Sequence, residues 1–255
     1  MAARITRATG STDNVAGSAA APGDGVSLSY DAATGGYTVR DASGATASFT
    51  PAQRSPADSN ATVTVYANAS GNRTDQLALF NPGADNPRMA LTHVSYGAWQ
   101  RVTDNGTTVD FAQQYFVYGI RQPANQPSTG RASYSTVVDG MWADASGVYA
   151  LGGTSSFTAD FAALTVATTL NLVGQPIAGG GSRSLGRFDG AGTIAALGGG
   201  FSGNLTHVGT DAAGNVYSGS FNGAFFGPQG QEVGYSFSLT GLGGVAAGAV
   251  VGRGN

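Results

Sequence analysis

Two histidines, one glutamate and no cysteine set the range of chemistry open to this 255-residue chain. His93 has the most suggestive surroundings, because Tyr96 and Trp99 follow it closely and Tyr115 and Tyr118 lie on the next apolar segment. Haem asks for an axial nitrogen or phenolate between aromatic walls. His93, Tyr96, Trp99, Tyr115 and Tyr118 are therefore the candidate ligand-binding set, with His93 as the expected haem-iron ligand and no other metal ligand. The competing reading of His93 is a hydrogen-bonded structural histidine on a strand. His207, just ahead of the turn Asp211-Ala212-Ala213-Gly214-Asn215, reads as a residue at the rim of a β structure.

Catalytic chemistry has little to work with. Paired carboxylates for glycoside hydrolysis are hard to assemble when Glu232 is the only glutamate and aspartates such as Asp31, Asp41, Asp104 and Asp211 occupy turns. Gly190-Ala191-Gly192-Thr193-Ile194-Ala195 has the letters of a dinucleotide fingerprint, but a β-rich Gly/Thr context replaces the helix N-terminus that would hold pyrophosphate. Gly179-Gly180-Gly181-Ser182-Arg183-Ser184 lacks the lysine of a phosphate-binding loop, and no Gly-x-Ser-x-Gly elbow is present. The chain is expected not to be an enzyme and to require no cofactor, haem entering only as a ligand.

All twelve basic residues are arginine, charged residues make up 11% of the chain, and the net charge is -3. A surface of this kind has no basic footprint for nucleic acid or an anionic membrane face. No run approaches the ~20 apolar residues of a membrane helix. Without cysteine there is no disulfide, thiolate metal site or lipobox. Met1-Ala2-Ala3-Arg4-Ile5-Thr6-Arg7 lacks the apolar core of a signal peptide. That leaves a cytoplasmic protein or one separated from its export signal, and the low-charge surface rich in Asn, Thr and Gly favours the second.

The elements that must position these residues read as strands throughout. Residues 1–22 carry almost no large apolar side chain and are expected to be a flexible arm. From Val26 the pattern has period two, with short strands at Val26 to Tyr30, Gly36 to Arg40, Ala45 to Phe49 and Ala61 to Tyr66. Leu91 to Arg101 then pairs with Val109 to Ile120 through the Asp104-Asn105-Gly106 turn. Both faces of that hairpin carry aromatics, so it is either sandwiched or presents one face to a ligand. Glycine density doubles after residue 130, with 13 glycines before and 28 of the 41 after it. Such a shift marks a change of architecture, and Gln122 to Gly130 reads as the connecting loop.

The second half holds eight strand-like segments with hairpin-length links: Ala132 to Trp142, Val148 to Phe161, Ala163 to Val173, Gly186 to Leu197, Phe201 to Val208, Val216 to Gly227, Glu232 to Gly241 and Gly244 to Gly252. Eight such strands fit an antiparallel up-and-down barrel whose inward side chains fill the lumen. Val233, Tyr235, Phe237 and Leu239 supply one such face, and Phe221 and Phe225 another between glycines. A lipid-facing barrel alternates in the same way, but the polar-looking first domain, the lack of aromatic girdles and the Val251-Gly252-Arg253-Gly254-Asn255 end argue against it.

The pieces Tyr96-Gly97-Ala98-Trp99, Phe116-Val117-Tyr118-Gly119, Thr129-Gly130-Arg131-Ala132-Ser133-Tyr134 and Phe157-Thr158-Ala159-Asp160-Phe161 resemble transferrin-binding protein-like solute-binding proteins. So does Gly219-Ser220-Phe221-Asn222-Gly223-Ala224-Phe225-Phe226-Gly227-Pro228 with the following Glu232-Val233-Gly234. These bacterial proteins are related to one lobe of transferrin-binding protein B. The resemblance runs from about Leu91 to Val250. It implies an all-β chain with a β-rich handle or clamp domain at residues 23–125 and an eight-stranded barrel at 131–255. It further implies a secreted protein or surface lipoprotein, at the outer-membrane surface or outside the cell, that takes up haem, iron or another nutrient. The expected partners are haem or a small solute, or else a protein, with an outer-membrane receptor or transporter beside them. The alternative function is adhesion to a macromolecular partner with no small ligand.

Overall fold

The computed structural model describes residues 2–8, 14–16, 20–21, 24–121, 126–196 and 199–255. In chain order the strands are β1 (Ala2–Ala8), β2 (Asn14–Ala16), β3 (Val26–Asp31), β4 (Gly36–Asp41), β5 (Thr46–Phe49), β6 (Val63–Ser70), β7 (Arg73–Phe80), β8 (Val94–Asp104) and β9 (Val109–Gly119). They are followed by β10 (Arg131–Asp144), β11 (Gly147–Asp160), β12 (Thr165–Pro176), β13 (Arg183–Ile194), β14 (Gly200–Val208), β15 (Tyr217–Phe226), β16 (Glu232–Gly241) and β17 (Gly244–Gly254). Strands β10 to β17 close an antiparallel barrel in sequence order, sealed by pairing of β10 with β17. A six-stranded sheet of order β2-β1-β9-β8-β7-β6 and a three-stranded sheet β3-β4-β5 make up the handle.

Alternation explains the barrel core. Val233, Tyr235, Phe237 and Leu239 of β16 point inward with Phe221 and Phe225 of β15, and they meet Phe157, Phe188, Phe201 and Leu205 from other strands. The rings pack against one another, as Phe201 does on Phe157 at 5.0 Å and on Phe225 at 5.1 Å between centroids. The lumen is a packed aromatic core.

The opposite faces of the closing strands are equally apolar. Val245, Ala247, Ala249 and Val251 of β17 turn outward with Met141 and Ala143 of β10, and the six-stranded sheet covers them with Ile5, Val94, Tyr96, Tyr115 and Val117. Small alanines on β17 let the sheet lie close to the barrel wall. The other face of that sheet, with Leu77, Leu79, Trp99 and Phe116, is covered in turn by Val39, Ala47 and Phe49 of the three-stranded sheet. Three layers result, the barrel, the large sheet and the small sheet. The aromatic hairpin β8–β9 is thus sandwiched over most of its length. Its loop is as the sequence predicts, with Gly106 at φ +81° and Asn105 N–H bonded to Thr108 C=O at 2.8 Å.

Three strands depart from the sequence reading. Residues 2–8, expected within a flexible arm, pair with β9 from Ala2↔Phe116 to Ala8↔Asp110, and residues 14–16 of the same expected arm pair with β1 from Ile5↔Ala16 to Arg7↔Asn14. Burial of Ala2, Ala3 and Ile5 against the sheet edge gives this small-residue segment the apolar contact that its composition concealed. Strand β7 was not anticipated because Asp75 takes an inward position in it. That carboxylate accepts from Trp99 Nε1–H at 2.9 Å and forms ion pairs with Arg73 and Arg101 at 2.5 and 3.1 Å. The connecting loop predicted at residues 122–130 lies partly outside the described residues.

Candidate functional site

The five residues of the expected ligand set fall into three environments. Tyr96 (8% exposed) and Tyr115 (7%) lie between the large sheet and the barrel. Trp99 (2%) points the other way, into the core beneath the small sheet. Tyr118 shares that outer face at its margin. His93 precedes β8 and packs on Gly227, where an added Cβ would come within 2.4 Å of its Cδ2. Strand geometry causes the split: Tyr96 and Trp99, like Tyr115 and Tyr118, are three residues apart, which on a strand means opposite faces.

Tyr96 and Tyr115 are tied to structure. The Tyr96 hydroxyl donates to Asp139 on the barrel, and Arg88 pairs with the same carboxylate while donating to Val138 C=O at 2.9 Å. Burial, with Asp139 nearby, pushes both phenols well above the ordinary tyrosine range. Both hydroxyls are neutral at ordinary pH, and that of Tyr96 is already engaged by Asp139. Among the described residues, no cluster of three or more His, Asp or Glu is placed to hold a metal ion.

Glu232 sits beside His93 and joins barrel to handle. Its buried carboxylate accepts the backbone N–H groups of Thr92 at 2.7 Å, His93 at 2.7 Å and Val94 at 2.8 Å. The single glutamate of the chain thus caps the entry of β8.

At the far end of the barrel His207 stacks on Phe188 at 4.5 Å, and its Nδ1 accepts Tyr217 N–H at 3.3 Å. Its Nε2 has no hydrogen-bond partner but faces the carbonyl of Leu185. Burial lowers its pKa, against the opposing pull of Asp211 and that carbonyl. This histidine closes the end of the barrel core.

The open aromatic concavity lies instead on the handle. A groove of about 380 Å³ runs between the small and large sheets, lined by Leu28, Tyr30, Tyr37, Tyr66, Leu79 and Tyr118 among others. Four strands supply its tyrosines. Tyr30 and Tyr37 are cross-strand neighbours with centroids 5.0 Å apart, and Tyr66 of β6 continues the row 5.5 Å from Tyr37. Tyr30 is 59% exposed, whereas Phe49 at the opposite end of the row is buried. Burial raises Tyr37, aided by Tyr66 and Tyr30, and takes Tyr118 up to about 12 despite its hydrogen bond with Ser95. Each tyrosine of the groove is a flat apolar body with a hydroxyl that can donate or accept. Of the expected set, only Tyr118 lies here.

A larger hollow of about 520 Å³ lies on the barrel at β10–β12, between the ion pair of exposed Arg131 with half-buried Asp160 and small residues such as Ala132 and Ala167. It has no aromatic wall.

Comparison with known proteins bears on both bodies. Residues 103–252, more than half of the chain, match the family model of the C-lobe and N-lobe β-barrels of transferrin-binding protein B. Among solved structures, a mutant of the vaccine antigen transferrin-binding protein B from Haemophilus parasuis Hp5 is 15% identical with a TM-score of 0.54. The alignment covers 100% of this chain and 44% of that one. Intact Ap-TbpB, with its N and C lobes, is 13% identical with a TM-score of 0.52, over 95% of this chain and 46% of that one. The chain thus spans somewhat less than half the length of these proteins, and the likeness at such identity is one of fold. No curated protein matches the sequence.

Proposed function

The chain belongs to the family of the C-lobe and N-lobe β-barrels of transferrin-binding protein B, and on that premise we propose that it is a non-enzymatic, surface-exposed extracytoplasmic protein that captures a protein partner on its handle. The observation that carries this reading is the contrast between a barrel filled by side chains and a tyrosine-lined groove left open on the handle. A packed barrel offers rigidity, and the Glu232 and Asp139 contacts transmit that rigidity to the sheets above it. Tyrosines on a rigid sheet supply contact area at low entropic cost, which is why they recur at the centres of protein interfaces.

Haem capture would need a ligand set that converges. His93, Tyr96, Trp99, Tyr115 and Tyr118 are distributed over three environments, so the proposal takes a protein as the ligand class.

The test is biolayer interferometry of the immobilised protein against a panel of extracellular proteins, transferrins included, with Tyr30→Ala alongside. Tyr30 is exposed enough for its removal to leave the fold intact. A saturable one-to-one complex weakened at least tenfold by Tyr30→Ala supports the proposal, about 1.4 kcal/mol at an aromatic contact. A complex indifferent to Tyr30→Ala and lost on altering the barrel wall at Arg131 and Asp160 contradicts it.

A further inference from the structure

The three-stranded sheet has two edges, and among the described residues only one is closed. At β5 the carbonyl of Thr46 accepts from Arg73 Nη2 at 2.8 Å and Arg101 Nη2 at 3.3 Å, and that of Ser48 accepts from Asn68 Nδ2 at 3.0 Å. Strand β6, the outer strand of the large sheet, is sealed by the loop before it. Ser55 N–H bonds Val65 C=O at 2.8 Å, Asn60 N–H bonds Val63 C=O at 2.8 Å, and Val65 N–H bonds Ser59 Oγ at 3.0 Å. Strand β3 has no such cover among the described residues. Among the described residues, its backbone is bonded only within the ladder to β4 and, at Asp31, to Gly35 of the adjoining turn.

Bare edges are normally blunted by lysine, proline, a bulge or extreme shortness. The β3 sequence Val-Ser-Leu-Ser-Tyr-Asp has six residues, with no lysine, arginine or proline and an unbroken register with β4. Its Ser27, Ser29, Tyr30 and Asp31 are exposed. The face it turns towards the large sheet carries Leu28 and Tyr30, which continue the rows Ala47-Val39-Leu28 and Phe49-Tyr37-Tyr30. Each row stops at β3, where Leu28 and Tyr30 wall the groove between the sheets together with Leu79 and Tyr118.

We infer that β3 is a docking edge on which an extended segment of the partner protein adds as a fourth strand, its alternate apolar side chains seated in the tyrosine groove. This rests on the reading of the handle as the capture surface and specifies how capture occurs. An added strand would lie about 4.8 Å beyond β3 and run about 20 Å for six residues. Main-chain bonds would supply affinity and the groove would select side chains at every second position. Exposed Asp24 and Asp31 stand at the two ends of β3, so the segment complements them with Arg or Lys at its flanks.

The probe is a displayed library of linear dodecapeptides selected on the whole protein and counter-selected on Tyr30→Lys, which places a charge in the groove. A selected peptide is then synthesised with either of its two alternate sets of amides N-methylated. The expected result is enrichment of sequences alternating apolar and polar residues. Methylation of one set should weaken binding at least tenfold while the other set binds as the parent does. Failure to enrich alternating peptides on the native protein, or indifference to both methylation patterns, overturns strand addition. If capture of the whole partner is still lost in Tyr30→Ala, the groove remains the capture surface and only the strand mode falls. Indifference of that capture to Tyr30→Ala instead rejects the handle reading itself.

Discussion

Replacing Glu232 by glutamine should loosen the handle from the barrel without disturbing either core. The carboxylate serves three backbone N–H groups at 2.7, 2.7 and 2.8 Å, and Glu232 is only 6% exposed. A glutamine retains one acceptor oxygen, which can serve His93 and Val94 while its NH₂ meets the N–H of Thr92. One charge-assisted bond of ~1.5–3 kcal/mol is lost and two others become neutral bonds weaker by ~0.5–1 kcal/mol each. The expected loss is about 3 kcal/mol, or a Tm lower by ~6–12 °C for a chain of this size. Glu232→Ala, which leaves all three amides without the carboxylate, should cost more, about 5 kcal/mol. The two tryptophans report separately, Trp99 from the handle and Trp142 from the barrel. In protein labelled with 5-fluorotryptophan, fluorine NMR through a urea titration should show both native resonances of the wild type vanish together. In Glu232→Gln the Trp99 resonance should go first. Coincident transitions in the variant with a loss below about 0.5 kcal/mol, within the range of an ordinary surface substitution, would refute the assigned clasp.

Burial holds the pKa of His207 below its ordinary 6.5, so the unfolded chain takes up that proton first and stability falls as pH drops through about 6.5 towards the folded pKa. The urea midpoint should therefore fall between pH 7.5 and pH 5, and His207→Gln should flatten that part of the profile; an unchanged slope in the variant would assign the effect elsewhere. Gly223→Ala should cost ~1–3 kcal/mol by overpacking, because its Cβ would come within 2.3 Å of Phe201 in the filled lumen. Gly152→Ala, with no neighbour within 4 Å, should unfold like the wild type, and equal urea midpoints for the two variants would contradict the packed barrel. A haemin titration should give no saturable Soret band, and His93→Ala should leave it unchanged; a one-equivalent band lost in that variant would restore the haem reading.

The barrel was legible because its strands obey one rule over long stretches: Val233, Tyr235, Phe237 and Leu239 all point inward, as period two requires. Strand β7 was hidden because its inward row begins with Asp75, a core position held by arginines and an indole rather than by apolar burial. The candidate site was least legible. Tyr96 and Trp99, like Tyr115 and Tyr118, are three apart and stand on opposite faces of their strands, and the sequence does not tell which face another layer covers. The tyrosine row could not be read locally, since Tyr30, Tyr37, Tyr66 and Tyr118 meet only when one sheet is laid over another. Tyr30 and Tyr37 alone, flanking the Asp31 turn of a hairpin, gave a local sign of it.

Hydrogen–deuterium exchange of the free protein and of its complex with the partner protein tests most directly where capture occurs. The account predicts new protection in residues 26–31 and in the groove segments around Tyr37, Tyr66 and Tyr118, with barrel strands such as β15 and β16 exchanging as before. Protection confined to the barrel, with residues 26–31 unchanged, would contradict it.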